Sequence, residues 1–185
     1  MAKKNKHEIR LAGSGGQGIV LASVILAEAA IQADKYTAQS QSYGPEARGG
    51  ACRGETLISD RPIGFTKVQK PTFLMALTQR SLDSYGAQLP EDCVVLVDEH
   101  LTIPASLTAN RVISLPILRV AREVVGNPQT ANMVAVGCIN RLLCIADTEQ
   151  LRRAARMHIP PGKESINLRA IEEGEKLAAG LGPVA

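Results

Sequence analysis

The 185-residue chain is short of aromatic side chains: three Tyr, two Phe and no Trp make up 3% of it, against 45% apolar residues overall. Its core must therefore be built from Ala, Val, Leu and Ile, which allow close helix–sheet packing and flat, extended subunit contacts. It also lacks any apolar run near the roughly 20 residues that a membrane crossing needs. The most apolar stretch, Ile19 to Ala33, is interrupted by Ser23, Glu28 and Gln32 and reads as a core helix. No membrane partner is expected. A Cys-x-x-Cys pair is missing as well. Cys52, Cys93, Cys138 and Cys144 are scattered, which argues against a zinc knuckle or an iron–sulfur cluster held by this chain alone. With no signal peptide in evidence, the thiols are expected to be reduced and the chain cytoplasmic.

Excess charge is small. The formal net charge is +3, and Lys3, Lys4 and Lys6 of the amino-terminal tail account for it. A nucleic-acid binder would carry basic charge on a structured face with aromatic or Arg readers, so no nucleic-acid partner is expected. No Walker A lysine, HExxH, Ser–His–Asp order or paired carboxylate set is visible. Accordingly, no catalytic and no metal-ligating residue is assigned. Asp98-Glu99-His100 follows a strand, where consecutive residues point different ways and should not converge on one ion, so they read as solvated. His7 and His158 have no evident partners in sequence. Cys138 and Cys144, six apart, fall on different faces of one helix and read as packing, and Cys52 reads as a half-buried strand residue.

What is present is Gly13-Ser14-Gly15-Gly16-Gln17-Gly18, between a short apolar strand, Ile9 to Ala12, and the helix Ile19 to Ala33. Strand, glycine turn and helix form the opening of a nucleotide-binding βαβ unit. Gly13 permits the tight turn, Gly15 lets a ligand approach the backbone, and Gly18 lets helix and strand pack closely. Free N–H groups at the helix start would face an anion. In dinucleotide dehydrogenases of this type an acid about 20 residues on holds a ribose. Here the second strand, Lys35 to Ser42, ends in Gln39-Ser40-Gln41-Ser42-Tyr43, which counts against a nicotinamide cofactor.

Tyr43-Gly44-Pro45-Glu46-Ala47-Arg48-Gly49-Gly50 is the second informative stretch, a loop stopped by Pro45 and loosened by three glycines. If the first two strands lie side by side, this loop sits next to the glycine turn. Arg48 then becomes a phosphate or carboxylate clamp, with Glu46 as its partner or as an orienting group. A surface Glu46–Arg48 pair is the plainer alternative. Further strands are expected at Ala51 to Ser59, Ile63 to Lys70, Thr72 to Thr78, Cys93 to Asp98 and Asn110 to Leu115. Helices are expected at Gln79 to Gln88, Ile117 to Val125, Thr130 to Ile145, Thr148 to Met157, and from Ser165 or Asn167 to Ala179. The fold class is α/β, a single Rossmann-like domain with a mostly parallel sheet flanked by helices and a helical carboxyl-terminal third. Residues 1–8 form a basic, flexible tail, 9–116 the glycine-loop α/β core, and 117–185 a mainly helical part.

The two glycine motifs, in this order and spacing, resemble those of the gamma subunit of 2-oxoacid:ferredoxin oxidoreductases. The resemblance continues through Ile58-Ser59-Asp60, Val94 to Asp98, Asn132-Met133-Val134-Ala135-Val136-Gly137, and Asn167 with Ala170 and Gly174, and so covers nearly the whole chain. It implies a non-catalytic subunit of a heteromeric oxidoreductase that decarboxylates a 2-oxoacid with coenzyme A, giving acyl-CoA, carbon dioxide and reduced ferredoxin. The implied partners are alpha, beta and ferredoxin-like delta subunits, with ferredoxin as electron acceptor. Thiamine diphosphate and iron–sulfur clusters would be held by those other subunits, and none of the cofactors by this chain alone. The form of the second motif and Gly49-Gly50-Ala51-Cys52 lean towards 2-oxoglutarate as substrate. The cleft residues singled out for cofactor contact are Gly13, Gly15, Gly16, Gln17, Gly18, Tyr43, Glu46, Arg48, Gly49 and Gly50. A stand-alone nucleotide- or CoA-binding regulatory module is the second reading. Whether the isolated chain forms a homodimer is left open.

Overall fold

A computed structural model describes residues 6–43 and 51–184, the side chains of Tyr43 and Ala51 excepted. Six strands, β1 (Lys6–Ser14), β2 (Tyr36–Tyr43), β3 (Ala51–Ser59), β4 (Phe73–Ala76), β5 (Val94–Asp98) and β6 (Arg111–Leu115), form one sheet in the order β2-β3-β1-β4-β5-β6. β1, β4, β5 and β6 are parallel, while β3 runs antiparallel to both β1 and β2. The sheet is mixed. β1 and β2 are thus not neighbours, as a doubly wound reading expects, because β3 is inserted between them. β1 begins at Lys6, so the last part of the expected tail is strand. No strand forms at Ile63 to Lys70.

Alternation along the strands sends residues to opposite faces. On one face, Ile9, Leu11, Phe73, Met75, Leu96 and Ile113 pack in the larger core with helices α1 (Ile19–Gln32), α4 (Ala131–Leu143), α5 (Thr148–His158) and α6 (Glu164–Ala178). On the other face, Ala12, Leu74, Ala76, Val95 and Val97 pack against Leu82 of the short helix α2 (Gln79–Gly86) and Leu107. The near absence of aromatics is met by small-residue packing. At Gly137 of α4 and Gly174 of α6, an added Cβ would strike the backbone carbonyl of Ile171 or Val134, so the two helices cross nearly backbone to backbone.

Helix limits follow local chemistry. α1 ends where Asp34 takes a left-handed φ of 56° and the N–H of Lys35 bonds the carbonyl of Ala30. α5 starts at a capping box in which Asp147 accepts from the N–H of Gln150 and Gln150 reaches back to the N–H of Asp147, an arrangement worth about 1 kcal/mol. Asp147 is therefore the cap, and Thr148 is the first helical residue. The stretch expected as one helix from Ile117 is a single turn, α3 (Ile117–Arg119), running into a π-helical turn at Val120–Val124. Cys144, expected on α4, is instead its left-handed terminating residue, with φ 50°.

Candidate functional site

In an open α/β sheet, ligands sit beyond the carboxyl ends of the strands, where successive connections leave in opposite directions. Here that point lies between β1 and β4: α1 leaves β1 on one face and α2 leaves β4 on the other. The Gly13–Gly18 turn occupies it. Two backbone and side-chain bonds close the turn, Gln17 N–H to the Ser14 carbonyl at 3.2 Å and Ser14 N–H to Gln17 Oε1 at 2.8 Å. The carboxamide oxygen of Gln17 thus takes the donor that an anion would use. Gly15 and Gly16 are exposed, and Gly16 has φ 92° with open space where a side chain would be.

Gly18 is the cap of α1, with φ 68° and no side chain bonding to the helix start. The first N–H groups of α1 therefore point out of the turn with the positive end of the helix dipole. The sequence assigns Gly18 to helix–strand packing, but an added Cβ there would meet Asn132 of α4. Close helix–strand approach is instead the task of Gly54 on β3, where an added Cβ would meet Ser23 of α1. Gly13 lies within β1, and a side chain on it would strike Gln17 Oε1 and Ile19.

Asn132 opens the stretch Asn132 to Gly137. It is 4% exposed, and its Nδ2 donates to the Gly18 carbonyl at 3.1 Å. Its Oδ1 is buried with no hydrogen-bond partner among the described residues, a state that costs about 1–3 kcal/mol. The start of α4 is thereby tied to the start of α1, so two helix amino termini meet at the glycine turn. The turn is met by the Nδ2 of this side chain, and its Oδ1 is a buried acceptor left for a further donor to satisfy.

The second motif springs from the same edge. Ser14 pairs with Ala51, Gly13 with Cys52, and Tyr43 with Cys52 from the far side. Tyr43 and Ala51, which flank residues 44–50, thus lie level with the glycine turn, although β3 and not β2 is its direct neighbour. Glu46, Arg48, Gly49 and Gly50 lie outside the described residues. Cys52 is buried rather than half-buried, and burial raises its thiol pKa.

Just below this edge, on the α2 face of the sheet, is a charged group that the sequence did not single out. Arg10 Nε donates to Glu55 Oε1 at 2.7 Å, and Arg53 Nε lies 4.0 Å from the same oxygen. Both guanidiniums sit 5.7 Å from the ring centre of Tyr85 on α2. The signal available was the i, i+2 pair Arg53 and Glu55, which a strand places on one face.

At the end of β5 two expectations are corrected. Asp98 is fully buried and accepts from the N–H groups of His100 and Leu118 at 3.1 and 2.8 Å, and His100 Nδ1 lies 2.8 Å from its Oδ1. Asp98 and His100 do meet, being two residues apart at a strand end, and the carboxylate caps α3. Glu99 turns away to Arg119, which holds its carboxyl below the usual range. His158 also has a neighbour, Glu28, at 3.9 Å. Among the described residues, no group of three or more His, Cys, Asp or Glu is placed to hold a metal ion, and no helix is long and apolar enough to cross a membrane.

Comparison with known proteins closes the question of family. The profile of the pyruvate ferredoxin/flavodoxin oxidoreductase family matches residues 8–177. The chain belongs to this family. The 2-oxoglutarate synthase subunit KorC of Methanocaldococcus jannaschii is 44% identical over 181 residues, covering 96% of this chain and 97% of the relative. A crystal structure of a keto/oxoacid ferredoxin oxidoreductase gamma subunit from Geobacter sulfurreducens superposes with a TM-score of 0.82 at 37% identity, over 96% of this chain and 98% of that one. The 2-oxoglutarate:ferredoxin oxidoreductase of Magnetococcus marinus, solved with 2-oxoglutarate, coenzyme A and succinyl-CoA bound, shares the fold at a TM-score of 0.85 and 19% identity. The match spans 96% of this chain and 32% of the longer one. This protein is thus a gamma subunit of a 2-oxoacid:ferredoxin oxidoreductase, part of an enzyme and not a free-standing regulatory module.

Proposed function

We propose that this chain is the gamma subunit of a 2-oxoglutarate:ferredoxin oxidoreductase and lines the cleft that receives coenzyme A. The observation that carries the substrate is the end-to-end 44% identity with a 2-oxoglutarate synthase subunit. The cleft assignment is supported by the glycine turn: unbonded N–H groups at the start of α1 and the positive φ of Gly16 and Gly18. These features suit an anionic group such as the pyrophosphate of coenzyme A. Gly13, Gly15, Gly16, Gln17 and Gly18 would hold it, together with Tyr43, Glu46, Arg48, Gly49 and Gly50 of the second motif. Thiamine diphosphate and iron–sulfur clusters belong to the alpha, beta and delta partners, and ferredoxin takes the electrons. When bound, coenzyme A supplies the thiol that accepts the acyl group; this chain's part is to orient it.

The test is purification of the complex through this chain, followed by viologen reduction with a panel of 2-oxoacids plus coenzyme A. We expect partner chains carrying thiamine diphosphate and iron to come with it, and 2-oxoglutarate to be preferred. Preference for pyruvate or a branched-chain oxoacid would overturn the substrate. Arg48→Ala in the complex is expected to raise the KM for coenzyme A; an unchanged KM would remove Arg48 from the cleft.

A further inference from the structure

α1 is apolar on its outer side as well as on its inner one. Ser23 shows which side of the helix overlies β2. Its Oγ accepts from Gln39 Nε2 of β2 at 3.0 Å, and its carbonyl accepts from Thr56 Oγ1 of β3 at 2.9 Å. Residues three or four apart are neighbours on a helix surface. Val20 and Ala27 therefore flank Ser23, and Val24 and Ile31 follow them at i+4, one step further out on the β2 side. Ala27 is buried, Val20 and Val24 are half-buried, and Ile31 is 53% exposed. The polar residues of the last turns, Glu28 and Gln32, face α5 instead, where they meet His158 and Met157 at 3.9 Å. A surface helix turns polar residues to water, and one that is apolar all round is covered all round.

Beside this stripe runs the outer edge of β2, and among the described residues no strand pairs with it. An open edge is a row of unpaired N–H and C=O groups, which folded chains guard with a short strand, a charge, a proline or a bulge. β6, at the other edge of the sheet, is guarded: it has five residues, opens on the exposed Arg111 and is stopped by Pro116. β2 has none of these guards. It runs for eight residues without charge or proline, and its register with β3 is unbroken from Tyr36 to Tyr43.

Stripe and edge together fit one kind of occupant. An added strand completes the ladder of β2, and every second side chain of it points to the α1 side. A second copy of this chain does not supply the right residues. Two β2 strands joined by a two-fold axis normal to the sheet run antiparallel with their α1 helices on the same side. The second copy would then turn Thr37, Gln39 and Gln41, all polar, towards the apolar stripe. The stripe calls for aliphatic side chains at those places.

We propose that a partner subunit of the enzyme adds a strand to the outer edge of β2, with alternate aliphatic residues seated against Val24 and Ile31 of α1. The surface is distinct from the glycine turn, which abuts the first turn of α1, whereas Ile31 stands in the last.

The experiment compares hydrogen–deuterium exchange in the assembled enzyme and in the isolated full chain. Alternate residues of an antiparallel edge strand point their N–H groups outward. In β2 these should exchange at least about tenfold more slowly on assembly. A photoreactive phenylalanine analogue in place of Ile31 should cross-link, in the assembled enzyme, to a segment of another subunit with alternating aliphatic residues. Ile31→Lys should weaken binding to the partner subunits about tenfold or more without lowering the melting temperature of the isolated chain, and Ile31→Leu should bind as the wild type does. The proposal is overturned if the outer amides of β2 exchange at the same rate in both states. It is also overturned if the cross-link joins two copies of this chain, falls on its own residues 44–50 or lands on a helix of the partner, or if Ile31→Lys binds with wild-type affinity. Should Ile31→Lys fail to fold, the exchange and the cross-link decide.

Discussion

Replacing Gly137 or Gly174 by Ala puts two effects of opposite sign in competition, and the structure says which wins. Ala is favoured over Gly inside an exposed helix by about 1 kcal/mol. In the crossing of α4 and α6, however, the new Cβ of Gly137→Ala would fall on the Ile171 carbonyl and the amide of Glu175, and that of Gly174→Ala on the Val134 carbonyl. The obstacles are helix backbone, which cannot rotate aside. Carbon and oxygen need roughly 3.5 Å, so the axes must part by about 1 Å. That opens the contacts of Val134, Cys138, Ala170 and Ile171, all fully buried or nearly so. Overpacking of this kind costs about 1–3 kcal/mol and more when nothing can relax. The net expectation is a loss of about 2 kcal/mol for each substitution. For a chain of this length that is a fall in Tm of about 4–8 °C. Because one helix displacement relieves both clashes, the double variant should lose clearly less than the sum. Urea unfolding followed by far-UV circular dichroism measures all three, with an unchanged slope as the check that only stability moved. Either single variant matching or exceeding the wild type would refute the backbone-contact argument.

Two further outcomes follow from ionisable groups. Glu8 is half-buried, and burial alone would raise its pKa. The Lys6 ammonium and the N–H groups of Gln69 and Lys70, at 2.9 and 3.1 Å, outweigh burial and hold the carboxyl below its usual value near 4.5. A depressed folded-state pKa contributes stability above the unfolded value that is lost as pH falls through the folded one. The gap in urea midpoint between the wild type and Glu8→Gln should therefore be full at pH 7 and close below about pH 4.5. A gap that does not depend on pH would contradict this. Thiol labelling should separate the cysteines: Cys144 is exposed, whereas Cys138 is buried and its pKa is pushed up to about 12. A maleimide should modify Cys144 first and reach Cys138 only with unfolding, as peptide mapping would show; early labelling of Cys138 would contradict the burial.

The elements were legible where one face of an element is apolar, and the topology was not. Val94 to Asp98 reads as a central parallel strand because both its faces are buried, and it is one. The strand Tyr36–Tyr43 carries Thr and Gln on one face and Ser on the other, with no apolar stripe, which is the composition of an edge. Read that way, it could not have lain beside β1, and the antiparallel β3 would have been the natural insert. Parallel and antiparallel pairing share the same two-residue period, so hydrophobic pattern alone leaves their direction open. The same period was missed on a smaller scale. Arg53 and Glu55 are two apart on β3 and so share a side, whereas Asp98 meets His100 because the chain turns after β5 and brings the His100 N–H back to the carboxylate. Asn132 could not be found locally at all, since its partner Gly18 is 114 residues away.

The direction of charge across the sheet ties these findings together. At the carboxyl ends of the strands near β1, the starts of α1 and α4 and the guanidinium of Arg53 all present positive potential. Asp98, the carboxylate at the end of β5, is two strands away and already committed to two backbone N–H groups and His100. Its negative charge is spent on holding the Leu118 and His100 N–H groups, and β4 lies between β5 and β1. The end of β2, where a nicotinamide site would carry an acid, holds Gln41 and Ser42 and is separated from β1 by β3. The pole at the glycine turn is left free to attract phosphate, which agrees with the coenzyme A cleft proposed above.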